Sequence, residues 1–150
     1  MRVKPALLTL ACCALLLLAA DSPPKQESLR LELFVNDLER SIAFYQNALG
    51  FTLERRDGDY AALRLGEAAF GIGSAKGLPE SHFFNPELQS QRRGLGTEIV
   101  IEVPNLDAAL ARCTEAQATI LSGITKRPWG QSDFRISDPD GYYLRLSSQK

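Results

Sequence analysis

The chain has one histidine in 150 residues, His82, and three cysteines, of which Cys12 and Cys13 lie within the first twenty. A single histidine cannot supply a His-rich metal centre, and no Ser–His–Asp set can be assembled around it. Only Cys113 remains beyond residue 20, so that part of the chain closes no disulfide on itself. A basic excess is missing too. Without Arg2 and Lys4 there are 15 basic residues against 18 acidic ones, a net charge of −3, with no stripe of Lys and Arg that could neutralise phosphates. Nucleic acid is therefore excluded as a partner. The composition, 45% hydrophobic and 23% charged, is that of a globular domain with one core.

Only one long apolar run occurs. Arg2 and Lys4 precede residues 6–20, an unbroken apolar stretch in the charged-then-apolar layout of a secretory signal. It is shorter than the roughly 20 residues of a spanning helix. Residues 1–20 are thus expected to be a signal peptide or, if uncleaved, an N-terminal anchor, which would be the only membrane contact. A cut after Ala19 or Ala20 suits the small residues there, although Leu17 or Leu18 then stands three places before it. Export to a periplasm or to the medium follows as an expectation. Residues 21–28, with two prolines and alternating charges, read as a flexible tether.

The rest contains an internal repeat. Residues 29–50 and 97–118, 68 positions apart, each alternate apolar and polar residues up to a Val, turn through Asn36-Asp37 or Pro104-Asn105, and continue with helical period. Asp37 and Asn105 have the side chains that cap helices, and Gly50 is placed to end the first one. Leu38, Ile42, Tyr45 and Leu49 form one helical stripe, and Leu106, Leu110 and Cys113 the other. Cys113 on that stripe reads as a small buried hydrophobe. Strand-like runs follow each helix: 51–56, 60–65 and 68–73, then 118–121, 134–137 and 142–147. Turn signals separate them at Asp57-Gly58-Asp59, Gly66-Glu67, Pro128-Trp129-Gly130 and Asp138-Pro139-Asp140-Gly141. Two βαβββ modules result, 29–74 and 97–148, joined by a crossing over 75–96.

On each leading strand the helix-facing side is aliphatic, while the other side carries charge and aromatic rings. Arg30, Glu32, Phe34, Arg64, Glu98, Glu102, Tyr143 and Arg145 would share one concave surface if the modules join edge to edge, which is a pocket composition.

Residues 35–51, Val-Asn-Asp-Leu-Glu-Arg-Ser-Ile-Ala-Phe-Tyr-Gln-Asn-Ala-Leu-Gly-Phe, together with Pro128-Trp129-Gly130 and Asp138-Pro139-Asp140-Gly141-Tyr142, closely resemble the vicinal oxygen chelate superfamily. That group includes lactoylglutathione lyases, extradiol dioxygenases, fosfomycin-modifying transferases and bleomycin-resistance proteins. The resemblance spans about 29–148. It implies an α+β fold in which the two modules form a paired, cupped eight-stranded mixed sheet with a helix outside each module. It implies a site in the cup between the modules, and a homodimer whose second chain completes or flanks that cup.

Metal-using members of the group carry four ligands, one on the first and one on the last strand of each module. The resemblance puts those positions at Arg30, near Gly71, at Glu98 and at Arg145. Guanidinium keeps its proton and has no lone pair to offer, so two of the four are cations. No metal and no other cofactor is expected. A cluster of Arg30, Glu98 and Arg145 at the centre of the cup has two readings. It is an internal salt bridge between the modules, or an arginine fork left over for a carboxylate or phosphate on a ligand.

Phe34, Trp129 and Tyr143 join Arg30, Glu98, Glu102 and Arg145 as expected ligand-lining residues, with Trp129 at the rim because it occupies a hairpin turn. The expected function is metal-independent binding of a small, anion-compatible molecule, similar to the sequestering bleomycin-resistance type. A glyoxalase-like lyase or isomerase using Glu98 or Glu32 as base is the alternative. A non-catalytic interaction domain with a filled cup is the second.

Overall fold

The computed structural model describes residues 29–84 and 93–149. The expected signal peptide or anchor and the tether lie outside the described residues, as do 85–92 of the crossing. Among the described residues no helix is long and apolar enough to cross a membrane.

The first module runs β1 (Leu31–Val35), α1 (Leu38–Asn47), β2 (Thr52–Asp57), β3 (Tyr60–Leu65) and β4 (Ala68–Ser74). A single 3₁₀ turn, Ala75–Gly77, opens the crossing. The second module repeats the order with β5 (Glu98–Val103), α2 (Leu106–Glu115), β6 (Thr119–Lys126), β7 (Ser132–Ser137) and β8 (Tyr143–Ser148). The result is the α+β architecture of paired βαβββ modules. The eight strands lie in two four-stranded mixed sheets, ordered β1-β4-β3-β2 and β5-β8-β7-β6. In each sheet the leading strand runs parallel to the last one and the other pairs are antiparallel.

The elements form where local chemistry dictates. The Asp37 carboxylate accepts the Arg40 amide at 3.0 Å and the Asn105 side chain accepts the Ala108 amide at 2.9 Å, so each helix begins on a satisfied donor. Gly50 leaves α1 with φ +81°, a conformation that glycine adopts without steric cost. β1 begins two residues later than the alternation suggested, and Leu29 is fully exposed. β6 extends to Lys126, well beyond the expected 118–121. Its ladder to β7 slips between Ile120 and Ser122 and again between Ser122 and Thr125, and such irregularities let a strand carry Gly123 in its interior.

One continuous core joins the modules. Leu33, Val35, Tyr45, Leu49, Leu63 and Ile72 are buried with Cys113, Phe134, Ile136, Leu144 and Leu146. Tyr45, Phe51 and Phe70 meet edge to face with centroids 4.9–5.8 Å apart, a favoured aromatic geometry. Cys113 is fully buried, its Sγ 3.4 Å from the Ala48 carbonyl oxygen across the module boundary, and burial pushes the thiol up to about 11.

The turn before β8 ties the second module to the first. The Tyr45 hydroxyl donates to Asp138 at 3.0 Å, and the Asn36 amide donates to Asp140 at 2.9 Å. The Tyr142 hydroxyl accepts from the Phe34 amide at 3.2 Å and donates to the Phe34 carbonyl at 3.0 Å, satisfying both backbone groups of one residue on the edge of the first sheet. Burial raises the Asp138 carboxyl and drives the Tyr45 phenol well above its ordinary value, with the Asp138 charge adding to the latter. The Asp-Pro-Asp-Gly motif is therefore a clamp between modules as well as a turn.

Candidate functional site

Each sheet has one face packed on its helix and one that, among the described residues, no helix covers. On the helix-free face the ladder pairs set side chains in transverse rows. In the first sheet Glu32 stands opposite Gly71, Gly71 opposite Ala62, and Ala62 opposite Arg55. In the second, Val100 stands opposite Arg145, Arg145 opposite Arg135, and Arg135 opposite Ser122. Glu32 and Val100 are 68 positions apart, so the two rows are equivalent and Gly71 is the structural counterpart of Arg145.

The first face is built around Glu32. Its carboxylate takes the Arg30 Nε at 2.6 Å and the Tyr60 hydroxyl at 3.3 Å. A Cβ added at Gly71 would run into that carboxylate and the Tyr60 hydroxyl, so the acid of β1 fills the space that a side chain on β4 would need. Arg55 lies over the Tyr60 ring, its guanidinium carbon 5.2 Å from the centroid. A hollow of about 370 Å³ opens here, lined by Arg30, Glu54, Arg55, Tyr60, Ala62, Ala69 and Gly71. Small side chains on β3 and β4 make the room. Arg64, on the same sheet, pairs with Glu54, which raises its guanidinium. Phe34 packs against His82 and Phe84 of the crossing, with centroids 5.4 and 5.3 Å away.

The second face holds a charge network. Asp133, 1% exposed, receives Arg127 through two bonds, Nε at 2.9 Å and Nη2 at 2.6 Å, and lies 3.6 Å from Arg135 Nε. The Arg127 hydrogen bonds hold the Asp133 carboxyl below its ordinary value against the opposing effect of burial, helped by the charges of Arg127, Arg135 and Arg145. The same bonds raise the Arg127 guanidinium. Arg145 Nη2 lies 3.5 Å from the Glu98 carboxylate. The Arg135 guanidinium carbon is 6.0 Å from the Tyr143 ring centre.

The residues expected to form one site therefore fall into two groups. Glu98, Tyr143 and Arg145 come together on the second sheet, while Arg30, Glu32 and Phe34 lie on the first. Arg30 pairs with Glu32, and no ion pair among the described residues joins it to Glu98 or Arg145. Glu102 is exposed at the end of the row through Ser147, Asp133 and Thr125. Trp129, 59% exposed, stands in the β6–β7 turn. Sequence reasoning missed Arg127, Asp133 and Arg135 on the second face and Arg55 and Tyr60 on the first. The alternation of Asp133, Phe134, Arg135 and Ile136 carried the signal once β7 is begun at Ser132 instead of Phe134.

This donor set does not fit a divalent cation. Of Arg30, Gly71, Glu98 and Arg145 only Glu98 offers an oxygen, and a guanidinium already sits beside it. Among the described residues no three His, Cys, Asp or Glu side chains are placed to share an ion.

The sequence profile of the Glyoxalase/Bleomycin resistance protein/Dioxygenase superfamily matches residues 28–146. The chain belongs to that family, the vicinal oxygen chelate superfamily. No curated protein matches it. Among solved structures it is similar to a protein of unknown function from Agrobacterium tumefaciens str. C58, at 23% identity and TM-score 0.69, over 84% of this chain and 96% of that one. It is similar to a glyoxalase/bleomycin resistance protein/dioxygenase from Nocardioides, at 22% and 0.65, over 83% and 84%. A glyoxalase-related enzyme from Fulvimarina pelagi matches at 18% and 0.68, over 83% and 89%. At these identities the likeness is one of fold.

Proposed function

We propose that this protein is an exported, metal-independent member of its superfamily that binds a small molecule on the helix-free faces of its modules, as a homodimer in which a second copy completes the cup. The observation that carries this reading is the identity of the four positions where metal-using members hold their ligands. Arg30 and Arg145 place fixed positive charge there, Gly71 offers nothing, and Glu98 is engaged by Arg145. Binding then relies on shape and on guanidinium groups held in place by neighbours. The hollow beside Glu32 is of the size that takes a small ligand. Proton abstraction by Glu32 is disfavoured, because its carboxylate is already engaged by Arg30 and by the Tyr60 hydroxyl.

Elemental analysis of the purified protein tests the reading, with Zn, Ni, Fe and Mn each expected far below one per chain. A near-stoichiometric content of any of them would overturn metal independence. A thermal-shift screen of small molecules is expected to find stabilising ligands, whereas silence across a broad panel would favour an interaction domain. Appreciable consumption of a methylglyoxal–thiol adduct would sink the binding-only reading.

A further inference from the structure

We propose that the row Arg145, Arg135 and Ser122 on the second sheet is the seat of a small organic monocarboxylate whose apolar body lies toward Val100 and Tyr143. This deepens the reading above and rests on it for the assignment of the helix-free faces to ligand binding.

Four buried side-chain polar atoms of the described residues have no hydrogen-bond partner: Arg93 Nε, Ser122 Oγ, Arg135 Nε and Arg145 Nε. Three of the four belong to this one row, strand beside strand. Buried polar groups are ordinarily satisfied, so a run of three unsatisfied ones calls for a partner. Charge points the same way. Arg135 and Arg145 stand directly opposite each other on neighbouring strands, where like charges repel. The nearby carboxylates form ion pairs with them but leave both Nε groups without a hydrogen bond. Asp133 gives both its oxygens to Arg127 and reaches Arg135 only at 3.6 Å, and Glu98 reaches Arg145 only at 3.5 Å. Neither contact is a hydrogen bond.

Arg135 and Arg145 are the two guanidiniums of the row itself, while the third cation of this face, Arg127, is held by Asp133, and Glu98 and exposed Glu102 are its other acids. Two guanidiniums and a hydroxyl suit the planar, two-oxygen acceptor of a carboxylate. The neighbours select its body. Val100, 44% exposed, is the next side chain in the row, and the Tyr143 ring flanks Arg135. Such a rim favours an apolar or aromatic remainder.

The test uses benzoate, its neutral isostere benzamide, and inorganic phosphate, titrated calorimetrically into the purified full-length protein and into Arg135→Gln, Ser122→Ala and the remote control Arg56→Gln. Benzoate is expected to bind at least about tenfold more tightly than benzamide or phosphate. Arg135→Gln should abolish that preference, Ser122→Ala weaken benzoate severalfold, and Arg56→Gln leave it unchanged. The melting temperature of ligand-free Arg135→Gln should stay level or rise, since a repulsion is removed, while a purely structural Arg135 would make it fall. Equal binding of benzoate and benzamide, with Arg135→Gln changing neither, refutes the carboxylate seat and leaves metal-independent binding standing. Tighter binding of phosphate also refutes it. If neither probe binds and a broad neutral panel gives no thermal shift, both readings fall together.

Discussion

The equivalent rows of the two modules, Glu32-Gly71-Ala62-Arg55 and Val100-Arg145-Arg135-Ser122, have the same backbone register and opposite chemistry. In the first, glycine leaves a gap and a carboxylate from the neighbouring strand lies across it, locked by Arg30 and Tyr60. In the second, two arginines fill the same stations over a buried Asp133. The helix sides show no such divergence, because each must close the common core. Packing constrains one face of a repeat, and the other is free to change sign.

The largest expected effect separates the two acids. Asp133→Asn removes the charge that Arg127 grips and leaves buried donors unmet, so urea unfolding should show a loss of about 2 kcal/mol, whereas half-exposed Glu32→Gln should lose about 0.5 kcal/mol. Equal losses would mean that the two faces are electrostatically alike. The same variant has a pH signature. A carboxyl held below its ordinary value contributes stability that is present above that value and lost as pH falls through the lowered one. The gap between wild type and Asp133→Asn should therefore narrow on acidification. Asp138, raised by burial, works in the opposite sense but is common to both chains and cancels.

A smaller effect probes the gap. Gly71→Ala must displace Glu32 and should cost about 1.5 kcal/mol, and most of that should return in Gly71→Ala with Glu32→Ala. A cost that persists in the double variant would assign the strain to the backbone of β4. Smaller still is the test of likeness. Asp37→Ala and Asn105→Ala remove the same cap from each module and should each cost about 1 kcal/mol. Thermal melts that differ strongly between them would break the equivalence of the repeats.

Most of the framework was legible in the sequence because it is written in short-range signals. Asp37 and Asn105 before an apolar stripe, Gly50 after one, and alternation along 31–35 and 98–103 each specify an element locally. The extent of β6 was not legible, since Gly123 reads as a break unless the irregular pairing with β7 is known. The site was legible only in part. The family resemblance pointed to Arg30, Glu98 and Arg145, but the partner of Arg30 proved to be Glu32, two residues away on its own strand. Arg127 and Arg135 converge on Asp133 through a hairpin whose geometry no spacing in the sequence reveals.

The second module presents the cations Arg135 and Arg145 on its helix-free face beside Glu98, and the proposed metal independence rests on them. Calorimetric titration of the chelator-treated protein with Zn²⁺, Ni²⁺ and Mn²⁺ tests it most directly. No saturable one-to-one binding is predicted for any of the three. A stoichiometric site that disappears in Glu98→Gln would contradict it.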